Sequence, residues 1–232
     1  MIPVHVKYPN GQPPSSTHYV VAGNGIFLHK KEWWINAVLP VRQITVLDDE
    51  MPSVEILLPK LDASILVKAL KLAYEIYLSL DSEVCLLLHY NKDQGYEVSV
   101  PQQVVGPAFL EYDPSERLPG YRCVGTIHSH AAMPAFHSSI DHADEVGSDG
   151  VHITLGDIGS YPSFSISAEG SVNGNRFLIP ETWFEGFRKR GRNRIFSYGD
   201  MEDWQVPKEW LEKVHPFMQP FNKKQLKKKG GE

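Results

Sequence analysis

Hydrophobic and polar positions alternate along the chain in two different rhythms, and the rhythms predict its elements. His18 to Val41 reads as a β-hairpin or small meander, with Tyr19-Val-Val-Ala, a turn at Gly23-Asn24-Gly25 and then Ile26-Phe-Leu-His. Val54-Glu-Ile-Leu-Leu reads as a strand. After Asp62, an N-cap residue type, apolar side chains at Ile65, Leu66, Ala69, Leu70, Ala73, Ile76, Tyr77 and Leu80 follow helical spacing. Strand-like runs come next: Glu83 to Tyr90, Gly95 to Val100, Ala108 to Tyr112 and Tyr121 to His128. A short helix is predicted from Ser138 to Val146, stopped by Gly147 and Gly150. Strands at Val151 to Leu155, Ser163 to Ser167 and Arg176 to Ile179 complete the series.

The stretches between these runs differ in character. Residues 1–16, rich in Pro, Gly and Ser, are expected to form an irregular arm. Trp33 and Trp34 are expected to pack, and Asp48-Asp49-Glu50 with Pro52 reads as a boundary loop. Three segments follow: an N-terminal β-rich extension over 1–52, an α/β domain over 53–185 and a C-terminal extension over 186–232. The last ten residues carry five lysines and read as a solvated tail.

Composition narrows the class. A chain of 232 residues with 42% hydrophobic and 22% charged side chains has the make-up of a globular protein. The most apolar long segment, 61–80, is interrupted by Lys68, Lys71 and Glu75, so no membrane span is expected. The start Met1-Ile-Pro-Val-His has neither the basic nor the apolar region of a secretion signal. Cys85 and Cys123 lie in strand-like runs and read as buried thiols of a cytoplasmic protein. The net charge of −5 divides unevenly: residues 1–187 carry 11 basic and 22 acidic side chains, residues 188–232 carry 12 and 6. An acidic body argues against a nucleic-acid-binding core, leaving only the basic tail for such contact.

Five of the ten histidines (His128, His130, His137, His142, His152) fall within 25 residues. In Val124-Gly-Thr-Ile-His128-Ser-His130 the alternation of a strand turns both imidazoles to one face, where they can converge on one ion. Asp141, at the start of the short helix, could add a carboxylate. Two imidazoles and one carboxylate leave a fourth tetrahedral position for water, the pattern of a catalytic zinc centre. The same Ser138-Ser-Ile-Asp141 also fits a capping box that only closes a helix end. A metallo-β-lactamase-like site would need its Asp-His pair two residues after the His-x-His, whereas Asp141-His142 follows eleven after His130. His137 reads as a rim residue and His142 as a packing or supporting residue beside a ligand. His152 reads as a satisfied core histidine. Asp144 and Glu145 read as acids that suit the first turns of a helix.

His128-Ser-His130 followed after seven residues by Ser138-x-x-Asp141 resembles the metal motif of the JAMM (MPN+) metalloproteases. Glu83-Val-Cys-Leu-Leu-Leu is similar to the Glu-Thr-Cys-Gly-Ile-Leu run of the ubiquitin-specific members. Val100-Pro-Gln-Gln and Ala135-Phe136-x-Ser138-Ser139-Ile140-Asp141 are similar too. The resemblance covers roughly 54–180 and suggests the prokaryotic JAB branch that includes PRTRC system protein A. It implies an MPN fold, a mixed curved β-sheet flanked by helices. It also implies Zn²⁺ held by His128, His130 and Asp141, Glu83 as general base and Ser138 as oxyanion donor.

The implied activity is hydrolysis of a peptide or isopeptide bond at the C-terminus of a ubiquitin-like or sulfur-carrier protein, with E1-like or E2-like proteins as system partners. A non-catalytic MPN scaffold of a bacterial multi-protein or mobile-element system is the alternative. The chain departs from the family pattern in two places. Ala131 stands where a proline usually follows the second histidine, and Leu86 and His89 stand where the glutamate strand usually has glycines.

Overall fold

In a computed structural model of the chain, the described residues are 4–6, 17–33, 35–42, 44, 52–107, 109–145, 147–190, 195–197 and 204–217. The chain divides into two compact units, Met1–Glu55 and Ile56–Glu232. The architecture is mixed α/β and dominated by sheet.

The N-terminal unit is a four-stranded sheet in the order β1-β2-β3-β4, formed by Val4–Val6, Thr17–Ala22, Gly25–Glu32 and Ile35–Pro40. The expected hairpin is present, with Ala22 opposite Gly25 across a two-residue turn at Gly23-Asn24. The arm expected to be irregular contributes a strand, since β1 pairs parallel with β2. Trp33, expected to pack, is 96% exposed. Trp34, the acidic 48–50 run and the lysine-rich 223–232 tail lie outside the described residues.

The second unit opens with β5 (Leu61–Asp62) and α1 (Ala63–Leu80), then runs β6 (Cys85–Asn91), β7 (Gly95–Ser99), β8 (Gln103–Gly106), β9 (Phe109–Tyr112) and β10 (Arg122–Ser129). Helix α2 (Ser139–Glu145) leads to β11 (Gly150–Gly156), β12 (Ser163–Val172) and β13 (Asn175–Leu178). The chain ends through β14 (Phe184–Glu185), β15 (Arg188–Arg190), β16 (Ile195–Ser197), α3 (Lys208–Leu211) and β17 (Val214–Pro216). The principal sheet has the order β15-β16-β12-β11-β10-β6-β7, with β13 also paired to β12. A smaller sheet joins β17, β8 and β9, and β14 pairs with β5. The strand expected over 54–58 does not form. Val54, Glu55 and Leu57 are exposed, and the segment has no ladder to join.

Helix α1 forms as its 3.6-residue pattern predicts. The Asp62 carboxylate accepts from the Ser64 N–H at 2.8 Å, and the helix stops at Asp81, whose left-handed φ of 49° lets its N–H return to the Tyr77 carbonyl. Its buried face packs with Leu86 and Leu88 of β6, Ile127 of β10, Ile153 and Leu155 of β11 and Phe164 of β12 in one core. Each such fully buried aliphatic contributes about 1.5–3 kcal/mol.

Register assigns the other face of the same strands a different role. His128 stands beside Cys85 and Thr154, and Thr126 beside Leu87 and His152, which in turn stands beside Glu169. Alternation therefore gives the sheet one apolar face for α1 and one polar face. Gly125 makes the β10–β11 approach possible, because a Cβ there would lie 1.7 Å from the Val151 carbonyl oxygen. Among the described residues no helix is long and apolar enough to cross a membrane.

Candidate metal centre

The polar sheet face ends in a cluster of ligand atoms. His128 is the penultimate residue of β10, and the His130 N–H continues the ladder by donating to the Leu155 carbonyl at 2.8 Å. Beyond the strand the chain turns at Ala131, whose φ is +48°. The returning loop is fastened to the residues just after β11 and to β12. The Ile158 N–H donates to the Ala131 carbonyl, the Asp157 N–H to that of Met133, and the Ala135 N–H to Ser165 Oγ. Gly156 lets this loop lie flat, for a Cβ there would meet Ala135 N at 2.1 Å and the Pro134 carbonyl carbon at 2.3 Å.

Ser138 then caps α2. Its N–H donates to Asp141 Oδ2 at 2.6 Å, and the Asp141 N–H donates to Ser138 Oγ at 3.2 Å. The capping-box reading and the ligand reading thus describe one arrangement. The carboxylate that closes the helix end also faces both histidines, with Oδ1 3.4 Å from His128 Nε2 and Oδ2 3.5 Å from His130 Nε2. The two Nε2 atoms are 3.3 Å apart. His128, His130 and Asp141 offer three ligand atoms within 4.8 Å of one another, a group that could hold a metal ion.

Electrostatics hold His128 and Asp141 in their ligating states. Burial pushes the His128 pKa down to about 3, so its imidazole stays neutral with a free lone pair. Burial alone would raise Asp141. The hydrogen bond from His130, the neighbouring imidazole of His128 and the two donors of Ser138 outweigh it and hold the carboxyl well below its ordinary range.

Glu83 lines the same cavity, of about 200 Å³, together with Thr126, His128, His130, Ser138 and Asp141. Burial lifts its pKa from 4.5 to about 7, with His130 opposing and Asp141 reinforcing the shift. Glu83 precedes the first residue of β6 by two, and that strand end is fixed from both sides. Ser129 Oγ accepts the Val84 N–H, while the Gln103 amide accepts the Cys85 N–H at 2.8 Å and donates to the Cys85 carbonyl at 2.9 Å. Burial pushes the Cys85 thiol up, so it stays protonated. Leu110, Tyr112, Met133 and Phe136 supply an apolar wall, and a wider cavity of about 1000 Å³ shares Leu110, Tyr112 and Thr126 with the first.

Several residues sit differently from their sequence reading. His137 is not a rim residue: its side chain is 1% exposed and turns toward Glu145. Glu145 lies in the last turn of α2, not the first, and is buried there. His142 faces Glu169 at 3.5 Å. His152 is a core histidine as expected, held by Thr126 Oγ1 and the Ser148 carbonyl. Cys123, expected to be buried, is exposed beside the register shift between Cys123 and Gly125.

Comparison with known proteins adds little to this geometry. No protein-family model matches the chain, and no curated protein does. Among solved structures, it is similar to the solution structure of protein DSY2949 from Desulfitobacterium hafniense. That likeness is 19% in identity, spans 51% of this chain and 87% of that one, and has a TM-score of 0.41. The reading of the site therefore rests on its own residues.

Proposed function

We propose that this chain is a zinc-dependent JAMM-type metalloprotease of MPN fold, cytoplasmic, that hydrolyses a peptide or isopeptide bond at the C-terminal tail of a ubiquitin-like or sulfur-carrier protein. The observation that carries the reading is the convergence of His128, His130 and Asp141 in one cavity with a glutamate poised near neutrality. Ligand atoms about 2.0–2.1 Å from a common tetrahedral centre stand roughly 3.3–3.4 Å apart. The 3.3 Å between the two Nε2 atoms fits that spacing, and a different oxygen of Asp141 lies near each imidazole, Oδ1 3.4 Å from His128 and Oδ2 3.5 Å from His130. The order of long helix, glutamate, His-x-His strand, capped aspartate and parallel strand supports the family reading.

His128, His130 and Asp141 would hold the ion. When bound, Zn²⁺ supplies Lewis-acid polarisation of the scissile carbonyl and lowers the pKa of water to about 7. Glu83 accepts the proton of the attacking water and passes it to the departing amine, a role suited to a carboxylate titrating near the working pH. Ser138 Oγ already accepts the Asp141 N–H, and its own proton, which bonds the Asp141 carboxylate in the free site, can turn to the oxyanion. The apolar wall and the wider adjoining cavity favour an extended polypeptide tail over a small polar substrate. E1-like or E2-like proteins would be the system partners of such a hydrolase.

The deciding experiment measures zinc content, and cleavage of C-terminal fusions to ubiquitin-like proteins, for wild type and Glu83→Gln. The expected result is equal zinc in both and cleavage by wild type alone. A Glu83→Gln protein as active as wild type overturns the mechanism, and a wild type without zinc overturns the metal reading.

A further inference from the structure

We infer that Arg176 is a positioning residue for Asp141, clamping helix α2 to the sheet and so setting how tightly the site holds its ion. The inference rests on the metal reading proposed above. Helix α2 has seven residues, too few to hold itself in place. Its first turn is fixed by Ser138. In its last turn, among the described side chains, the buried one is Glu145, which polar contacts hold.

Arg176 Nη1 donates to Glu145 Oε2 at 2.7 Å, and Arg176 Nε donates to Glu169 Oε2 at 2.7 Å. One guanidinium thus joins the helix end to β12, and Ser171 Oγ adds a long contact of 3.5 Å to the Glu145 carbonyl. The placement of Arg176 comes from the β12–β13 hairpin. Its turn, Asn173-Gly174, has φ of 48° and 73° and sets Arg176 opposite Ser171.

Glu145 lies four residues after Asp141, so the two share a helix face about 6 Å apart along the axis. A shift of the clamped end is carried across that single turn to the carboxylate. The Asp141 oxygens stand 3.4 Å from His128 Nε2 (Oδ1) and 3.5 Å from His130 Nε2 (Oδ2), contacts that a displaced Asp141 would lose. Arg176 touches none of the three ligands, so its influence passes through Glu145 and through Glu169, which also faces His142 of α2 at 3.5 Å.

The test titrates metal-free, full-length protein with zinc against a chromophoric chelator, with thermal unfolding of the metal-free form measured in parallel. Arg176→Gln is expected to bind one zinc with about 10- to 100-fold lower affinity, the usual scale for a lost supporting contact. Arg176→Lys, a point charge that cannot span both carboxylates, is expected to recover part of the loss. Lys213→Gln breaks an ion pair of the same 2.7 Å length, to Glu116, and is expected to leave the affinity unchanged.

Zinc bound by Arg176→Gln as tightly as by wild type overturns the positioning role alone. So does an equal loss in Lys213→Gln, which would show general destabilisation instead. Should Arg176→Gln not fold, Glu169→Ala removes the acceptor that ties the guanidinium to β12, and an unchanged affinity there overturns the role equally. A wild type that takes no zinc removes the metal reading and this inference together.

Discussion

Ser138 and Asp141 serve each other. The Ser138 N–H donates to Asp141 Oδ2 at 2.6 Å, and the Asp141 N–H donates to Ser138 Oγ at 3.2 Å, while the same carboxylate faces His128 and His130. Ser138→Ala keeps the Ser138 N–H contact and loses the hydroxyl. Losing an N-cap costs about 1 kcal/mol, and losing an oxyanion donor costs roughly 10²–10³ in turnover. The expected outcome is a small fall in the unfolding midpoint of the metal-free protein, and cleavage at least a hundredfold slower. Thermal unfolding and the fusion-cleavage assay measure the two effects separately.

Glu83 makes the pH dependence distinctive. Its folded pKa, about 7, lies above its ordinary 4.5 because of burial. The folded state therefore binds more protons than the unfolded state between those values. The stability Glu83 contributes is fully present below pH 4.5 and is lost as pH rises through 7. Glu83→Gln cannot titrate. Metal-free Glu83→Gln should gain on wild type as pH is raised from about 5 to about 8, by on the order of 1–2 kcal/mol after allowance for solvent screening. Denaturant unfolding at both ends of the range measures the gain, and a constant difference would remove the raised pKa from the account.

Ala131 holds the chain in a backbone conformation unusual for a residue with a Cβ. At φ +48° it occupies the left-handed region, which costs a residue with a Cβ roughly 1–2 kcal/mol. Glycine would release that cost while losing roughly 0.5–1 kcal/mol of chain entropy, so Ala131→Gly should stabilise by about 0.5–1 kcal/mol. Proline, fixed near φ −65°, cannot take this conformation. Ala131→Pro should weaken zinc binding and lower the unfolding midpoint, since the Ala131 carbonyl bond to Ile158 and the neighbouring His130 both depend on it. Unfolding curves and zinc titrations of the two variants check the opposite signs.

The helix α1, the His-x-His pair and the capped aspartate were legible in the sequence because each depends on local period or spacing. Strand alternation alone aligns His128 with His130, and the cap position alone fixes Asp141. Arg176 was not legible. It meets Glu145 across 31 residues, through a β12–β13 register that no local pattern announces. His137 lies next to the capping serine, and only the buried partner toward which it turns, Glu145, explains why it leaves the rim. Gln103 belongs to the Val100-Pro-Gln-Gln run that carries part of the resemblance, but its task shows only when β8 brings it beside Cys85, where one amide satisfies both backbone groups. The strand expected at 54–58 failed for the opposite reason. Its apolar residues match a strand, but a strand also needs a neighbour, and Leu57 stays 86% exposed.

Gly156 offers a test of how the loop, as distinct from any ligand, builds the site. Its backbone is the floor on which residues 133–135 rest, and a methyl group there would lie 2.1 Å from Ala135 N and 2.6 Å from the Met133 carbonyl oxygen. These are backbone atoms that cannot swing aside. The loop they belong to runs from His130 to Ser138, so lifting it moves the histidine end and the aspartate end of the site apart. Gly156→Ala should cost about 1–3 kcal/mol in stability and weaken zinc binding, although no ligand is altered. Gly23→Ala, at a position with nothing within 4 Å, should leave zinc binding unchanged. Zinc titration of the two variants side by side decides the matter, and a Gly156→Ala protein with wild-type zinc affinity would show that the loop does not set the distance between His130 and Asp141.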